Sequence, residues 1–117
     1  MIAFDGGVVT RRGVNMVAVS DLFRGMPIHL LMSGAASQAK PKQLEWARQR
    51  LEQAGFEVEA SLIPGDAEHI VARQVQERGI DLLVMGAYAH SPWRSLFFGS
   101  KTSNLLRSAT IPTLLLR

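Results

Sequence analysis

Short apolar runs and amphipathic stretches alternate along the chain, and this alternation limits the folds open to it. The runs at residues 2–4, 28–32, 80–86 and 113–116 are almost continuously apolar, broken by His29, Asp81 and Thr113. Continuous runs of this length suit parallel strands covered on both faces. Residues 56–63 instead alternate, with Phe56, Val58, Ala60 and Leu62 on one face and Glu57, Glu59 and Ser61 on the other. A strand with that pattern is buried on one side and belongs at or near a sheet edge.

The intervening segments carry apolar residues at helical spacing. Val14, Val17, Ala18 and Leu22 form one stripe, stopped by Gly25. Leu44, Ala47, Leu51 and Ala54 form a second, opened by Pro41, whose missing N–H costs nothing in a first helical turn, and closed by Gly55. Asp66 is placed to cap a third helix with Ala67, Ile70, Val71 and Val75 inward and Gly79 at its end. A last helix opens at Gly99-Ser100 and turns Thr102, Leu105, Leu106 and Ala109 inward. The order is βαβαβαβαβ, which predicts a parallel sheet with right-handed crossovers and helices on both faces. Ligands of such sheets gather at the carboxyl ends of the strands, here Asp5, residues 32–34 and Gly86 onward.

Composition narrows the chemistry. A chain of 117 residues is one domain, residues 1–117. It has no cysteine, so disulfides and thiolate metal sites are excluded. Thirteen basic against ten acidic side chains leave a net charge of +3, too mild an excess to point to nucleic acid. No apolar run approaches the roughly 18 residues of a membrane span, and the first residues lack the succession of a secretion signal. A cytoplasmic location without membrane contact is expected.

The most informative stretch joins the fourth strand to the last helix, from Met85-Gly86-Ala87-Tyr88-Ala89-His90 to Gly99-Ser100-Lys101-Thr102. Glycine lets backbone approach a ligand, and free N–H groups at a helix start favour an anion such as phosphate. Ser100 and Thr102 add hydroxyl donors, and Lys101 and Arg94 add countercharge.

These residues resemble the universal stress protein family over essentially the whole chain. The likeness is carried by Ala3-Phe4-Asp5-Gly6, Gly65-Asp66, the segment at 81–86 and the closing Pro112-Thr113-Leu114-Leu115-Leu116. The family's nucleotide-binding pattern is glycine, two residues, glycine, nine residues, then glycine with Ser or Thr; Gly86 and Gly99-Ser100 match, and Ala89 replaces the middle glycine. The resemblance implies a three-layer α/β sandwich, Rossmann-like and of the adenine nucleotide alpha-hydrolase-like kind, with a five-stranded parallel sheet in the order 3-2-1-4-5. It implies binding of ATP or another adenine nucleotide, with or without Mg²⁺. Ala3, Phe4 and Asp5 would border the nucleoside, and Met32 and Ser33 would lie against the base. Met85 and Gly86 would meet the ribose and phosphates, and Ala89, His90, Gly99, Ser100, Lys101 and Thr102 would hold the phosphates. It implies a stress-response regulator that forms a homodimer through its last strand, residues 112–117. The alternative is a domain that has lost nucleotide affinity through Ala89 and acts as a dimerisation or protein-interaction module.

Only residues 1–4 precede Asp5, so the first strand reads as clipped. The wording of residues 1–34 is similar to the second domain of a tandem universal stress protein.

Other chemistries find little support. His90 and Ser91 are adjacent on one loop and no nucleophile elbow surrounds them, so a hydrolytic triad is not expected. The histidines at 29, 69 and 90 lack metal-ligand spacing. Slow nucleotide hydrolysis would need a carboxylate near the phosphates, and Asp5 stands at the nucleoside end; the chain is not expected to be an enzyme. His29 reads as a hydrogen-bonded core residue, and Arg11, Arg12 and Arg24 as a solvated face.

Overall fold

The computed structural model describes residues 1–34, 39–86 and 111–116. Its elements are β1 (Ile2–Ala3), α1 (Val8–Val19), β2 (Ile28–Ser33), α2 (Ala39–Gln53), β3 (Val58–Ile63), α3 (Ala67–Glu77), β4 (Leu83–Gly86) and β5 (Thr113–Leu116). The strands form one parallel sheet in the order β3-β2-β1-β4-β5. The expected 3-2-1-4-5 order is thus observed, with the alternating strand at one edge and the last strand at the other. The expected last helix lies outside the described residues.

The period-two alternation of side chains assigns each strand residue to one of two cores. Ile2 and Phe4, Leu30 and Met32, and Val84 face α1 and α2, where they meet Val14, Val17, Leu44, Ala47 and Leu51. Ala3, Leu31, Leu83 and Met85 face the other side and pack with Val71 and Val75 of α3. The inner strands are therefore apolar on both faces because each is covered by helices on both sides. At the β3 edge, the row Val58, Ala60 and Leu62 joins the first core, while of the opposite row only Ile63, at the strand's end, packs against the second.

The first helix differs from expectation. It begins at Val8 and ends at Val19, and Leu22, expected on its buried stripe, is 81% exposed. The cause is Ser20, whose hydroxyl accepts from the Leu22 N–H at 3.2 Å and starts a 3₁₀ turn over Asp21–Phe23. The change of pitch rotates Leu22 outward, and Phe23 takes the buried position. The fourth strand is also shorter than the apolar run from 80 to 86, because the chain turns at Gly79 (φ +59) and bends at Asp81 before pairing begins at Leu83.

His29 is a further correction. It is half-buried beside Glu59 and Arg78 rather than in the core, with Nδ1 3.3 Å from the Arg78 guanidinium. Desolvation and the Arg78 charge lower its pKa, and Glu59 opposes them. Of the three arginines expected on a solvated face, Arg11 lies over the Trp46 ring, 5.6 Å from its centroid, and Arg24 pairs with Asp21. Among the described residues no helix is long and apolar enough to cross a membrane.

Candidate functional site

At the carboxyl end of the sheet the first three strands open onto a cleft of about 260 Å³, lined by Phe4, Asp5, Met32, Ser33, Gly34, Lys40, Gly65, Asp66 and Ala67. The topology explains this gathering, since β1, β2 and β3 are parallel neighbours and their ends come together. The floor is apolar, formed by the buried Phe4, Met32 and Ala67. The rim is polar, with carboxylates at Asp5 and Asp66 and the Ser33 and Lys40 side chains.

Asp5 is the most defined rim group. Its Oδ1 accepts from the Gly7 N–H at 2.8 Å, closing an Asx turn. The same oxygen accepts from the Thr10 hydroxyl at 2.7 Å. The turn between them requires Gly6, which has φ +80 and lies so close to the Gln43 side chain that a β-carbon would overlap it. Thr10 is buried, and its methyl side faces the end of β4, where a β-carbon on Gly86 would lie 3.6 Å from Thr10 Cγ2.

On the opposite rim, Lys40 donates to the Ser33 carbonyl at 3.1 Å, a contact that crosses from α2 to the end of β2. Asp66 caps α3 by accepting from the His69 N–H at 3.4 Å. Both Gly34 (φ +106) and Gly65 (φ +131) take left-handed conformations as the chain leaves β2 and β3.

Of the expected site residues, Phe4, Asp5, Met32 and Ser33 come together around one cleft. Ala3 and Met85 are fully buried in the α3-side core. Gly86 ends β4 beside α1. Ala89, His90, Gly99, Ser100, Lys101 and Thr102 lie outside the described residues. Sequence reasoning missed Thr10, Lys40 and Asp66 as parts of the site. The signal for Thr10 was a hydroxyl five residues after Asp5 and three after its Asp-Gly-Gly turn, within reach of that carboxylate on the first helical turn.

An apolar floor with acceptors at its rim suits a flat ring carrying N–H donors or a sugar carrying hydroxyls. A nucleoside combines both features. Among the described residues no group of His, Asp or Glu is arranged to hold a metal ion.

The model of the universal stress protein family matches residues 10–117. The universal stress protein Slr1230 of Synechocystis sp. is 36% identical over 119 residues, covering 100% of this chain and 42% of that protein. The universal stress protein MJ0577 of Methanocaldococcus jannaschii is 24% identical over 87 residues, covering 74% of this chain and 53% of that protein. The chain thus spans about half the length of these relatives. Among solved structures, a universal stress protein in complex with cAMP superposes with a TM-score of 0.73 at 20% identity, covering 99% of this chain and 93% of the other. The universal stress protein of Archaeoglobus fulgidus in complex with dAMP superposes with a TM-score of 0.68 at 18% identity, covering 99% and 94%.

Proposed function

We propose that this chain, which belongs to the universal stress protein family, is an adenine-nucleotide-binding regulatory domain that receives its ligand at the carboxyl end of the sheet. The observation that carries the reading is the cleft itself: Asp5 and Ser33 stand at the ends of adjacent strands over a floor of Phe4 and Met32. The cAMP and dAMP bound by two neighbours of the same fold support an adenine ligand.

In this reading Phe4 and Met32 offer apolar surface to the base, and Asp5 accepts from a ligand donor through Oδ2. Gly86 lets the ligand pass toward the phosphate side without a side chain in the way. Ala89, His90, Gly99, Ser100, Lys101 and Thr102 are assigned to the phosphates of ATP or a related nucleotide, with Mg²⁺ as countercharge. Ligand occupancy is the signal and turnover is not the main function, because Asp5 stands at the nucleoside end. Residues 112–117 form a homodimer interface. The reading is supported by Leu114 and Leu115, which are 37% and 46% exposed on β5 at the edge of the sheet. An apolar edge strand of this kind invites pairing. The same edge supports the second reading, an interaction module that works without nucleotide. A cytoplasmic location and descent from the second half of a tandem protein complete the proposal.

The test is calorimetric titration of nucleotide-stripped protein with ATP and Mg²⁺, beside the native mass with and without ligand. Saturable binding by a dimer supports the regulatory domain. A dimer that gives no heat supports the interaction module.

A further inference from the structure

The cleft depends on a residue that does not line it. We propose that Thr10 is a positioning residue for Asp5, fixing its carboxylate so that one oxygen is committed to the protein and the other is presented to the ligand. The inference rests on the nucleotide reading for its ligand, and on the geometry around Thr10 for the rest.

Thr10 is 1% exposed, and among the described residues it is the buried polar side chain of the domain. A buried hydroxyl needs a partner, because leaving it unpaired costs more than the bond itself returns. Its nearest acceptor is Asp5 Oδ1 at 2.7 Å, with the Gly7 carbonyl oxygen farther off at 3.3 Å. The Thr10 oxygen also lies 3.4 Å from the Asp5 backbone N–H, so the residue touches Asp5 at both its main chain and its carboxylate. The Gly7 N–H reaches Oδ1 as well, at 2.8 Å. Both bonds to the Asp5 side chain fall on the same oxygen, which among the described residues leaves Oδ2 as the acceptor available to a guest.

An acceptor fixed at that point favours a guest that offers N–H or O–H there. The methyl side of Thr10 faces Gly86, where an added β-carbon would stand at ordinary van der Waals distance from it. Thr10 therefore connects the end of β1 to the end of β4, the two strands between which a nucleotide would run from base to phosphate. Its location at the first turn of α1 makes it a rigid support, since the helix backbone fixes where the hydroxyl points.

The test uses Thr10→Val, which keeps the shape and removes the hydroxyl, and Thr10→Ser, which keeps the hydroxyl. ATP affinity by calorimetry and hydrogen exchange of the Gly7 amide in ligand-free protein are measured on both, with thermal unfolding to confirm folding. The proposal expects Thr10→Val to weaken ATP binding about five- to tenfold and to speed Gly7 exchange about fivefold, as loss of one hydrogen bond implies. Thr10→Ser should restore both to within about twofold of wild type on the same argument. Wild-type behaviour of Thr10→Val in both measurements overturns the proposal, as does equal weakening by the two variants. If the wild-type protein itself does not bind ATP, the nucleotide reading fails, and the Gly7 exchange rates alone decide whether Thr10 positions Asp5.

Discussion

Asp66 and His69 meet twice at the mouth of the cleft: the carboxylate accepts from the His69 backbone N–H at 3.4 Å and lies 2.7 Å from Nδ1 of the His69 ring. The first contact caps α3. The second joins two side chains that are each 62% exposed, so solvent screens it and its contribution is small. Asp66→Ala is expected to lower stability by about 1 kcal/mol through loss of the cap. Asp66→Asn should cost only a fraction of that, because asparagine caps as well as aspartate. Urea denaturation of the two variants separates these outcomes, and equal losses would show that the charge rather than the cap matters.

His29 makes folding stability depend on pH. Desolvation and the Arg78 guanidinium lower its pKa in the folded state, with Glu59 partly opposing them. Below the ordinary imidazole value of 6.5 the unfolded chain therefore takes up the proton more readily than the folded one. The stability attached to neutral His29 is full above that value and is lost as the pH falls through the lowered folded-state value. Denaturation midpoints measured between neutral and mildly acid pH should fall more steeply for wild type than for His29→Gln. Parallel pH profiles would contradict the assignment.

Much of this fold was legible because burial on two faces and burial on one face write different patterns. Ile2 and Phe4 turn to one core and Ala3 to the other, while at the edge Val58, Ala60 and Leu62 join the first core and the opposite row adds only Ile63 to the second. The positions of Asp5, Ser33 and Gly86 at strand ends followed from parallel topology. Leu22 was misread because helical spacing alone does not reveal that the Ser20 hydroxyl redirects the chain. His29 was misread because a strand pattern does not show that α3 brings Arg78 alongside. Lys40 and Asp66 were missed for a related reason: each joins the cleft by a tertiary approach, from α2 and the start of α3, that no local periodicity encodes, while Thr10 stands behind the cleft and reaches it only through Asp5.

The β5 edge gives a prediction about assembly. Leu115 is 46% exposed, while its strand is paired on one side with β4. Leu115→Lys places a charge where the proposed homodimer would bury apolar surface, and an unpaired buried charge is strongly unfavourable. Sedimentation should show a dimer for wild type and a monomer for the variant, with the monomer still folded by circular dichroism. A wild-type monomer, or a variant that remains dimeric, would remove the interface from β5.

The central claim is that Asp5 presents an acceptor to an adenine nucleotide in the cleft at the strand ends. Calorimetric titration with ATP and Mg²⁺ of wild type and Asp5→Ala tests it most directly. The account predicts saturable binding to the wild type, weakened roughly tenfold or more in the variant, the effect of removing a hydrogen bond to a charged group. Absence of binding to folded wild-type protein, or equal affinity in the two proteins, would contradict it.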